Sequence, residues 1–405
     1  MNNVAFCLTL SFAAAVASDA AAAAAPGPPG VRELPFEIAS NKPYVQVRIN
    51  GSAPQWFILD TGCRGTSLIA RQCAERLHLP LGDVTPTHLG AGQGVSVGFT
   101  TTPNVTLDVA GDTLVSPALG VIPMDHVSPY EGRRVDGLLG EDFMRRHVVE
   151  IDYARRRIRL FDPATYHYSG ASTPIPITFD QGLVVAQAEM APRASPPIAC
   201  RVVVDTGVRT TVIWYHPFVV EHALVASQAK VITGTIGGGA GGETTGDIGR
   251  LDHVTIGSIT LKQPTVVFSR DTTGVFAGRS VAGIVGGEVL RRCTVTFDYS
   301  HQELFLEPYP EGVAGFDYDM SGLFLVAPGP DFKRVTIQSV AAGTPAQEAG
   351  LLKGDEIMAV DGRRTDQLTL DQVRELFKKD GATYRLDVKR GQEHLQVRLT
   401  PHRLV

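Results

Sequence analysis

The chain has little net charge and few cysteines, and the patterns of several protein classes are missing. Its 405 residues carry a formal net charge of −5, and no run of lysine and arginine is dense enough to follow a phosphate backbone. We therefore expect no nucleic acid partner. No cysteine pair has Cys-x-x-Cys spacing and no histidine pair has His-Glu-x-x-His spacing, the usual arrangements of zinc ligands. The sequence therefore predicts neither a metal ion nor a cofactor.

The N-terminal segment differs in composition from the rest of the chain. An apolar run over residues 4–17 is followed by an alanine tract and by Pro26-Gly27-Pro28-Pro29-Gly30. This pattern predicts a signal peptide at 1–20 and a linker at 21–33, and therefore an exported, periplasmic or secreted protein. No lysine or arginine precedes the apolar run, so an uncleaved membrane anchor stays open as an alternative. Four cysteines follow, for which buried thiols or one or two disulfides are expected rather than a zinc site: Cys63, Cys73, Cys200 and Cys293.

The middle of the chain contains an internal duplication. Asp60-Thr61-Gly62 follows an apolar run, and Asp205-Thr206-Gly207 follows a second apolar run 145 residues later. The segments at 136–140 and 151–153 recur in similar form with an offset of 146 residues. Three motifs that keep one offset to within a residue indicate a repeated structural unit.

Each copy is predicted to be a mostly β lobe. Tyr44 to Ile49 alternates between apolar and polar residues and turns at Asn50-Gly51, and in the second copy Leu183 to Met190 and Ile198 to Val204 form a similar pair. Helical patterns are few, the clearest covering Ser67 to Leu77 and the segment near Gly287 to Arg291. We assign lobe 1 to residues 34–163 and lobe 2 to residues 174–309.

The character of the sequence changes after Gly315. Short apolar runs, two Gly-rich turns and an amphipathic helix over Thr369 to Lys379 predict a separate α+β domain at 315–402. The predicted fold is thus mostly β, with two duplicated lobes forming a cleft and a small α+β domain after them.

The two Asp-Thr-Gly turns favour a particular chemistry. A strand that delivers Asp-Thr-Gly into a tight turn places a carboxylate at the strand end, where glycine allows another backbone to approach. Two carboxylates that meet across a pseudo-twofold axis cannot both ionise and share one proton. One can then activate water while the other protonates a carbonyl oxygen. Neither a metal ion nor a covalent intermediate is needed.

These motifs resemble those of the pepsin and retropepsin superfamily, and in particular bacterial retropepsin-like proteins fused to a PDZ domain. The resemblance implies that Asp60 and Asp205 are the catalytic pair, supported by Thr61, Gly62, Thr206 and Gly207. It also implies flaps at Gly90 to Gly94 and at Gly234 to Gly246, although the tyrosine of the pepsin flap is absent. Psi-shaped loops are implied behind the aspartates at Leu138, Leu139, Gly140, Ile284, Val285 and Gly286.

The C-terminal domain resembles PDZ modules of exported bacterial proteases. The resemblance rests on Gly322-Leu323-Phe324-Leu325, Ala349-Gly350-Leu351 and Gly354-Asp355-Glu356-Ile357. It implies that the backbone of Gly322, Leu323, Phe324 and Leu325 binds the C-terminal carboxylate of a peptide, with Leu370 and Val373 lining the pocket. The alternative is a domain used only for packing.

Two motifs of other enzyme classes are discounted. Gly94-Val95-Ser96-Val97-Gly98 matches the nucleophile elbow of serine hydrolases, but the following residues continue as a strand rather than a helix. Gly237-x-Gly239-x-x-Gly242 matches a dinucleotide fingerprint but opens no helix, and a flap is favoured.

The sequence as a whole predicts an aspartic-type endopeptidase that acts on a polypeptide substrate, with a PDZ domain that binds a peptide terminus. Two lobes in one chain remove the need for a dimer, so a monomer is expected. The alternative is an exported peptide-binding or scaffold protein in which the same fold does not cut.

Overall fold

The computed structural model describes residues 31–87, 90–92, 97–193, 195–313 and 315–405. The predicted signal peptide and most of the predicted linker lie outside these residues. The fold is mostly β, as predicted, with two β lobes and a C-terminal PDZ domain. No helix in the part of the chain that the structure describes is both long and apolar enough to cross a membrane.

Lobe 1 is built around a twisted sheet in the order β2-β3-β4-β9-β5-β8-β7-β6. Its strands are β1 (Arg32–Pro35), β2 (Glu37–Ala39), β3 (Lys42–Ile49), β4 (Gln55–Leu59), β5 (Leu68–Ala70), β6 (Thr85–Thr87), β7 (Val97–Val109), β8 (Asp112–Ile122), β9 (Gly137–Leu139), β10 (Val148–Asp152) and β11 (Arg157–Phe161). Its helices are α1 (Arg71–Arg76), α2 (Ser128–Glu131) and α3 (Glu141–Met144).

Lobe 2 repeats this arrangement. Its strands are β12 (Ile175–Asp180), β13 (Leu183–Ala191), β14 (Ile198–Val204), β15 (Val212–Trp214), β16 (Ile232–Gly239), β17 (Gly242–Arg250), β18 (His253–Ile256), β19 (Ile259–Lys262), β20 (Thr265–Ser269), β21 (Gly283–Val285), β22 (Cys293–Asp298) and β23 (Glu303–Pro308). Its helices are α4 (His216–Glu221), α5 (Gly287–Leu290) and a 3-10 turn at Val275–Ala277.

The same three-strand motif lies at the centre of each lobe. In lobe 1, β9 pairs in parallel with β4 and antiparallel with β5. In lobe 2, β21 pairs in parallel with β14 and antiparallel with β15. The ends of β4 and β14 are apolar and buried on both faces, which is why they read as continuous hydrophobic runs in the sequence.

The two lobes share a sheet at their base. Its strands run β1-β11-β10-β22-β23-β12, and β10 of lobe 1 pairs antiparallel with β22 of lobe 2 from Val149↔Phe297 to Asp152↔Thr294. One continuous hydrophobic core runs through both lobes. The backbone therefore joins the lobes on the side opposite the cleft.

The PDZ domain has its own sheet and core. Its elements are β24 (Leu323–Val326), β25 (Val335–Val340), α6 (Pro345–Glu348), β26 (Glu356–Val360), β27 (Arg363–Arg364), a 3-10 turn at Thr365–Gln367, α7 (Leu370–Leu376), β28 (Tyr384–Arg390) and β29 (Glu393–Leu399). A capping box starts α7, because Thr369 Oγ1 accepts from the Gln372 amide and the Gln372 side chain accepts from the Thr369 amide.

The predicted helix over Ser67 to Leu77 is correct only in its second half. Residues Leu68–Ala70 form β5, and the helix α1 covers Arg71–Arg76. The short strand is fixed by pairing with β8 and β9, which local propensity does not reveal.

Candidate active site

Each predicted aspartate sits at the end of a buried strand and is held by its own turn. Asp60 follows β4, its amide donates to Leu139 O at 3.0 Å, and its Oδ1 accepts from the Gly62 amide at 2.8 Å. In lobe 2 the Asp205 amide donates to Val285 O at 2.9 Å, and its Oδ1 accepts from the Gly207 amide at 2.7 Å. The duplication thus extends to individual hydrogen bonds.

The two turns are locked to each other by their threonines. The Thr61 amide donates to Thr206 Oγ1, and the Thr206 amide donates to Thr61 Oγ1, each at 3.1 Å. Thr61 Oγ1 in turn donates to Val204 O at 2.8 Å, and Thr206 Oγ1 donates to Leu59 O at 2.6 Å. Both threonines are fully or almost fully buried. Four hydrogen bonds in a buried site fix the relative position of the lobes at this point.

The predicted pair of carboxyl groups does come together. A Cβ placed on Gly62 would lie 2.2 Å from Asp205 Oδ2, and one on Gly207 would lie 2.4 Å from Asp60 Cγ. Each carboxyl therefore lies against the backbone of the other lobe's turn, within hydrogen-bonding reach of its counterpart. Glycine is required at both positions because any side chain would overlap a carboxyl group.

Burial changes the proton affinity of both carboxyl groups. Asp205 is only 6% exposed, whereas Asp60 is half-buried. Desolvation raises the pKa of Asp205, and the negative charge of Asp60 raises that pKa further. Desolvation also raises the pKa of Asp60, while the positive charge of Lys42 acts in the opposite direction. The pair therefore holds one proton over a wide pH range.

The sequence analysis did not identify a charged network beside this pair. Lys42 Nζ lies 2.7 Å from Glu131 Oε1, and the Tyr44 hydroxyl donates to Glu131 Oε2 at 3.0 Å. All three side chains are buried, and the charge of Lys42 lowers the pKa of both Asp60 and Asp205. The sequence did contain one signal for this network, because Lys42 is a charged residue at the start of an apolar strand. Its partner, Glu131, is 89 residues away along the chain and could not be identified from the sequence.

The predicted psi-loop residues lie behind the aspartates. Leu138 and Leu139 are in β9, Ile284 and Val285 are in β21, and Gly140 and Gly286 follow these strands. A Cβ on Gly140 would lie 2.9 Å from Cys63 O, and one on Gly286 would lie 2.5 Å from Thr210 O. These glycines allow the psi loop to pass directly behind the turn that carries each aspartate.

The glycine-rich segments of the two lobes meet each other. The Gly241 amide donates to Ala91 O at 2.8 Å, and His126 Nε2 lies 3.0 Å from Gly239 O. The hairpin of β16 and β17 forms the lobe-2 flap, whereas part of the predicted first flap, residues 93–94, lies outside the described residues. Ala91 packs against an apolar cluster of lobe 2 that includes Val208 and Phe276. The cleft next to the aspartates therefore has an apolar wall.

The predicted PDZ site residues occupy β24 and α7. Gly322 has a φ of 81° and a Cβ there would lie 2.2 Å from Thr344 Oγ1, so only glycine fits. Leu323, Leu325, Leu370 and Val373 are buried in the PDZ core, and Phe324 is half-buried. The groove between β24 and α7 faces the lobes rather than solvent.

The four cysteines of the described residues are buried free thiols, which decides between the thiols and the disulfides that the sequence left open. Cys63 directly follows the first Asp-Thr-Gly and is 6% exposed. Burial, together with the nearby Asp60 charge, raises the pKa of the Cys63 thiol well above its usual value. This thiol is therefore not poised as a nucleophile.

Family models match both the lobes and the C-terminal domain. A model described as aspartyl protease matches residues 45–143 and again residues 197–289, and a model described as PDZ domain matches residues 312–400. The chain therefore combines a peptidase-like domain with a PDZ domain.

Particular relatives can also be named. Serine protease HTRA1 of Xenopus tropicalis is 32% identical over 96 residues, which are 24% of this chain and 18% of that protein. A probable CtpA-like serine protease of Staphylococcus haemolyticus is 32% identical over 103 residues, covering 23% of this chain and 21% of the relative. The solved structure of the photosystem II D1 C-terminal processing protease is 26% identical over 21% of this chain and 23% of its own, with a TM-score of 0.20. The chain spans about a fifth of the length of the curated relatives it matches.

The relatives correct one prediction. An aspartic-type endopeptidase was expected, whereas the curated relatives named here are serine proteases. The enzyme class predicted from the sequence is therefore contradicted. These alignments span 96 and 103 residues, which is less than the 145 residues between Asp60 and Asp205, so neither includes both carboxyl groups.

A serine and histidine do meet in the structure, but not as a catalytic triad. Ser300 Oγ lies 3.2 Å from His301 Nδ1, and the same Nδ1 lies 2.8 Å from Asp298 Oδ2. A triad needs one imidazole nitrogen for the serine and the other for the carboxylate. These residues instead close the exposed turn between β22 and β23. Ser96, in the discounted Gly-x-Ser-x-Gly motif, lies outside the described residues.

Proposed function

We propose that the cleft between the lobes hydrolyses peptide bonds with a water molecule activated between Asp60 and Asp205. The observation that carries this proposal is the cross-lobe lock of Thr61 and Thr206, which holds two carboxyl groups within hydrogen-bonding reach in a buried site. Two neighbouring carboxyl groups, one buried and one half-buried, cost stability, so their presence on both lobes is best explained by chemistry.

The asymmetric burial suggests distinct roles for the two groups. Asp205 is the more deeply buried and holds the shared proton, while Asp60 is the carboxylate. Asp60 removes a proton from water as the water oxygen attacks the carbonyl carbon of the substrate, and Asp205 donates its proton to the carbonyl oxygen. The carbon–nitrogen bond then breaks as the amine nitrogen takes the proton from Asp60. A hydroxyl group of the tetrahedral intermediate gives its proton to Asp205 as the carbonyl re-forms, so the pair returns to its starting state.

The surroundings suit a polypeptide substrate. The glycine-rich flap strands offer backbone hydrogen-bonding groups to an extended peptide, and the apolar wall around Val208 and Phe276 offers space for apolar side chains. Substrate recognition would thus combine backbone pairing with side-chain pockets.

The test is cleavage of an unfolded protein by the full chain and by Asp60→Asn and Asp205→Asn variants. We expect each substitution to reduce the rate at least about 10³-fold, because each removes one partner of proton transfer. Asp331→Asn, at an exposed position, is the matched control and should be active. A serine-directed fluorophosphonate should leave the activity unchanged. Wild-type rates in either dyad variant, or inactivation by the fluorophosphonate, would overturn the proposal.

A further inference from the structure

The groove of the PDZ domain already contains a segment of lobe 1. We name residues 128–132, which comprise α2 and Gly132, the plug segment. Helix α2 packs against β24, and the Ala327 amide directly after β24 donates to Pro129 O at 2.8 Å. The backbone of the same chain therefore meets the C-terminal end of β24, where a peptide ligand adds to a PDZ sheet, while Leu323, Phe324 and Leu325 also line a pocket of about 170 Å³ between β24 and β16 of lobe 2.

Contacts along the groove hold the plug segment in place. Arg374 of α7 is 6% exposed and donates to Tyr130 O and to Leu325 O, each at 2.9 Å. The rings of Tyr130 and Phe324 have centroids 5.9 Å apart. Gly132 approaches α7 so closely that a Cβ would lie 2.6 Å from Leu370 Cβ. One buried guanidinium thus joins the groove wall to the backbone of its occupant.

The end of the groove is not prepared for a free carboxylate. The Leu323 amide, in the loop predicted to bind a peptide terminus, donates to Ser321 Oγ at 3.1 Å. Ser321 donates in turn to the carboxylate of Asp319, both from its amide and from its hydroxyl. Desolvation raises the pKa of Asp319 to about 6, so this group is still mainly ionised at neutral pH. A terminal carboxylate would meet a backbone donor that is already occupied, beside a carboxylate, Asp319, that shares its pocket with Arg209, Arg374 and Lys378.

The plug segment also contacts the lobe-2 flap. A Cβ on Gly238, at the end of β16, would lie 2.4 Å from the ring of Tyr130. The PDZ domain touches the same flap directly, because the Gln338 side chain donates to Glu243 Oε2 at 3.1 Å. Tyr130 therefore lies between the PDZ groove and the flap, and it cannot leave one without changing its contact with the other.

A second connection runs from the plug segment to the aspartate pair. Glu131, the residue after Tyr130, is the partner of Lys42. Ser40, two residues before Lys42, donates its amide to Asp371 of α7 at 2.6 Å, and its hydroxyl accepts from Arg374. Displacement of the plug segment would break the contact between Glu131 and Lys42.

We propose that the PDZ groove is a docking site for an internal polypeptide segment with an aromatic residue, and that the plug segment is its resident occupant. An incoming segment displaces the plug segment and frees the lobe-2 flap. The effect on hydrolysis rests on the proposed function, but the docking and the release of the flap do not.

The probe is a synthetic peptide with the sequence of residues 127–133, with both termini blocked, added to the full chain carrying Asp60→Asn. Hydrogen exchange of backbone amides in 232–250 reports the flap without any turnover. We expect the peptide to increase exchange there, and the same peptide with a free C-terminal carboxylate to act more weakly. Exchange that is unchanged by the blocked peptide, or a stronger effect of the free carboxylate, would overturn the proposal.

Two substitutions approach the same contact from opposite sides. Tyr130→Ala removes the ring, and Gly238→Ala forces the ring and flap apart; each should increase flap exchange about two- to tenfold, the effect of losing one aromatic contact. Tyr166→Ala, in a loop after β11, is the matched control and should leave flap exchange unchanged. Thermal unfolding identifies a variant that does not fold, in which case the other variant decides. Unchanged exchange in the folded variants would contradict the proposal.

The last arm separates this inference from the proposed hydrolysis. In the chain with both aspartates intact, the blocked peptide should raise the cleavage rate of an unfolded protein. If exchange responds but no cleavage occurs, the docking stands and the hydrolytic function fails. If cleavage occurs and exchange does not respond to the peptide, the hydrolytic function stands and the docking proposal fails.

Discussion

The two lobes carry the same acidic turn in different surroundings. Tyr44 pairs with Ile58, two residues before Asp60, and Val185 pairs with Val203, two residues before Asp205. Lys42 begins β3 and Leu183 begins β13, each two residues before these positions. Lobe 2 therefore has leucine and valine where lobe 1 has the lysine and tyrosine that contact Glu131. The duplication has kept the geometry of the turn and changed its electrostatic surroundings.

This difference shows how a symmetric pair can acquire unequal members. A buried positive charge on one side and an apolar wall on the other stabilise the ionised form of Asp60 relative to that of Asp205. Three experiments would sharpen or break this comparison.

The largest effect is expected where the lobes are most alike. Gly62→Ala and Gly207→Ala each place a methyl group within 2.4 Å of the other lobe's carboxyl group, and should each lower kcat/KM at least about 10²-fold by displacing it. Gly82→Ala is the control, because its nearest neighbour lies at 3.5 Å. Steady-state kinetics provides the measurement. Full activity in either of the first two variants would show that the carboxyl groups are not where the structure has them.

An intermediate effect is expected from the residue that distinguishes the lobes. The charge of Lys42 lowers the pKa of both aspartates, so Lys42→Met should raise both and move the whole pH–rate profile to higher pH. Glu131→Gln added to this variant avoids an unpaired buried carboxylate and serves as the control for stability. An unchanged profile in the double variant would show that Lys42 acts only through packing.

The smallest effect is expected on stability. The folded-state pKa of Asp205 lies above that of the unfolded chain, so ionisation opposes folding, and stability falls as the pH rises from about 4 toward that raised pKa. Asp205→Asn should therefore gain at least about 1 kcal/mol over wild type at neutral pH, and less at low pH. Asp60→Asn should gain less, because Asp60 is more exposed. Urea unfolding at both pH values measures this, and equal gains would remove the proposed asymmetry.

The repeated motif made the centre of the fold predictable. In each lobe an apolar run leads into Asp-Thr-Gly, and an apolar pair with a glycine follows later in the chain. This pattern predicts that the two apolar segments pack together, and they form the pairs β4 with β9 and β14 with β21. The strand β14 begins and ends where it was predicted. The predicted enzyme class was contradicted by the named relatives.

Contacts between remote segments could not be predicted in this way. No sequence motif links Lys42 to Glu131, and the two residues meet only because α2 packs next to the start of β3 in the folded chain. The plug segment was missed for the same reason, because Pro129 and Ala327 meet only after the PDZ domain packs against the lobes. Neither contact leaves a periodic or spaced signal in a single sequence.

The sheet at the base also limits how a substrate can enter. Parting the lobes as rigid bodies would break the main-chain ladder between β10 and β22, which no side-chain movement can replace. With the proposed function, a polypeptide substrate would enter from the opposite side, beneath the hairpin of β16 and β17. Access then depends on the hairpin of β16 and β17. The turnover rate would therefore be set far from the aspartate pair, by the plug segment and the PDZ domain that contact this hairpin.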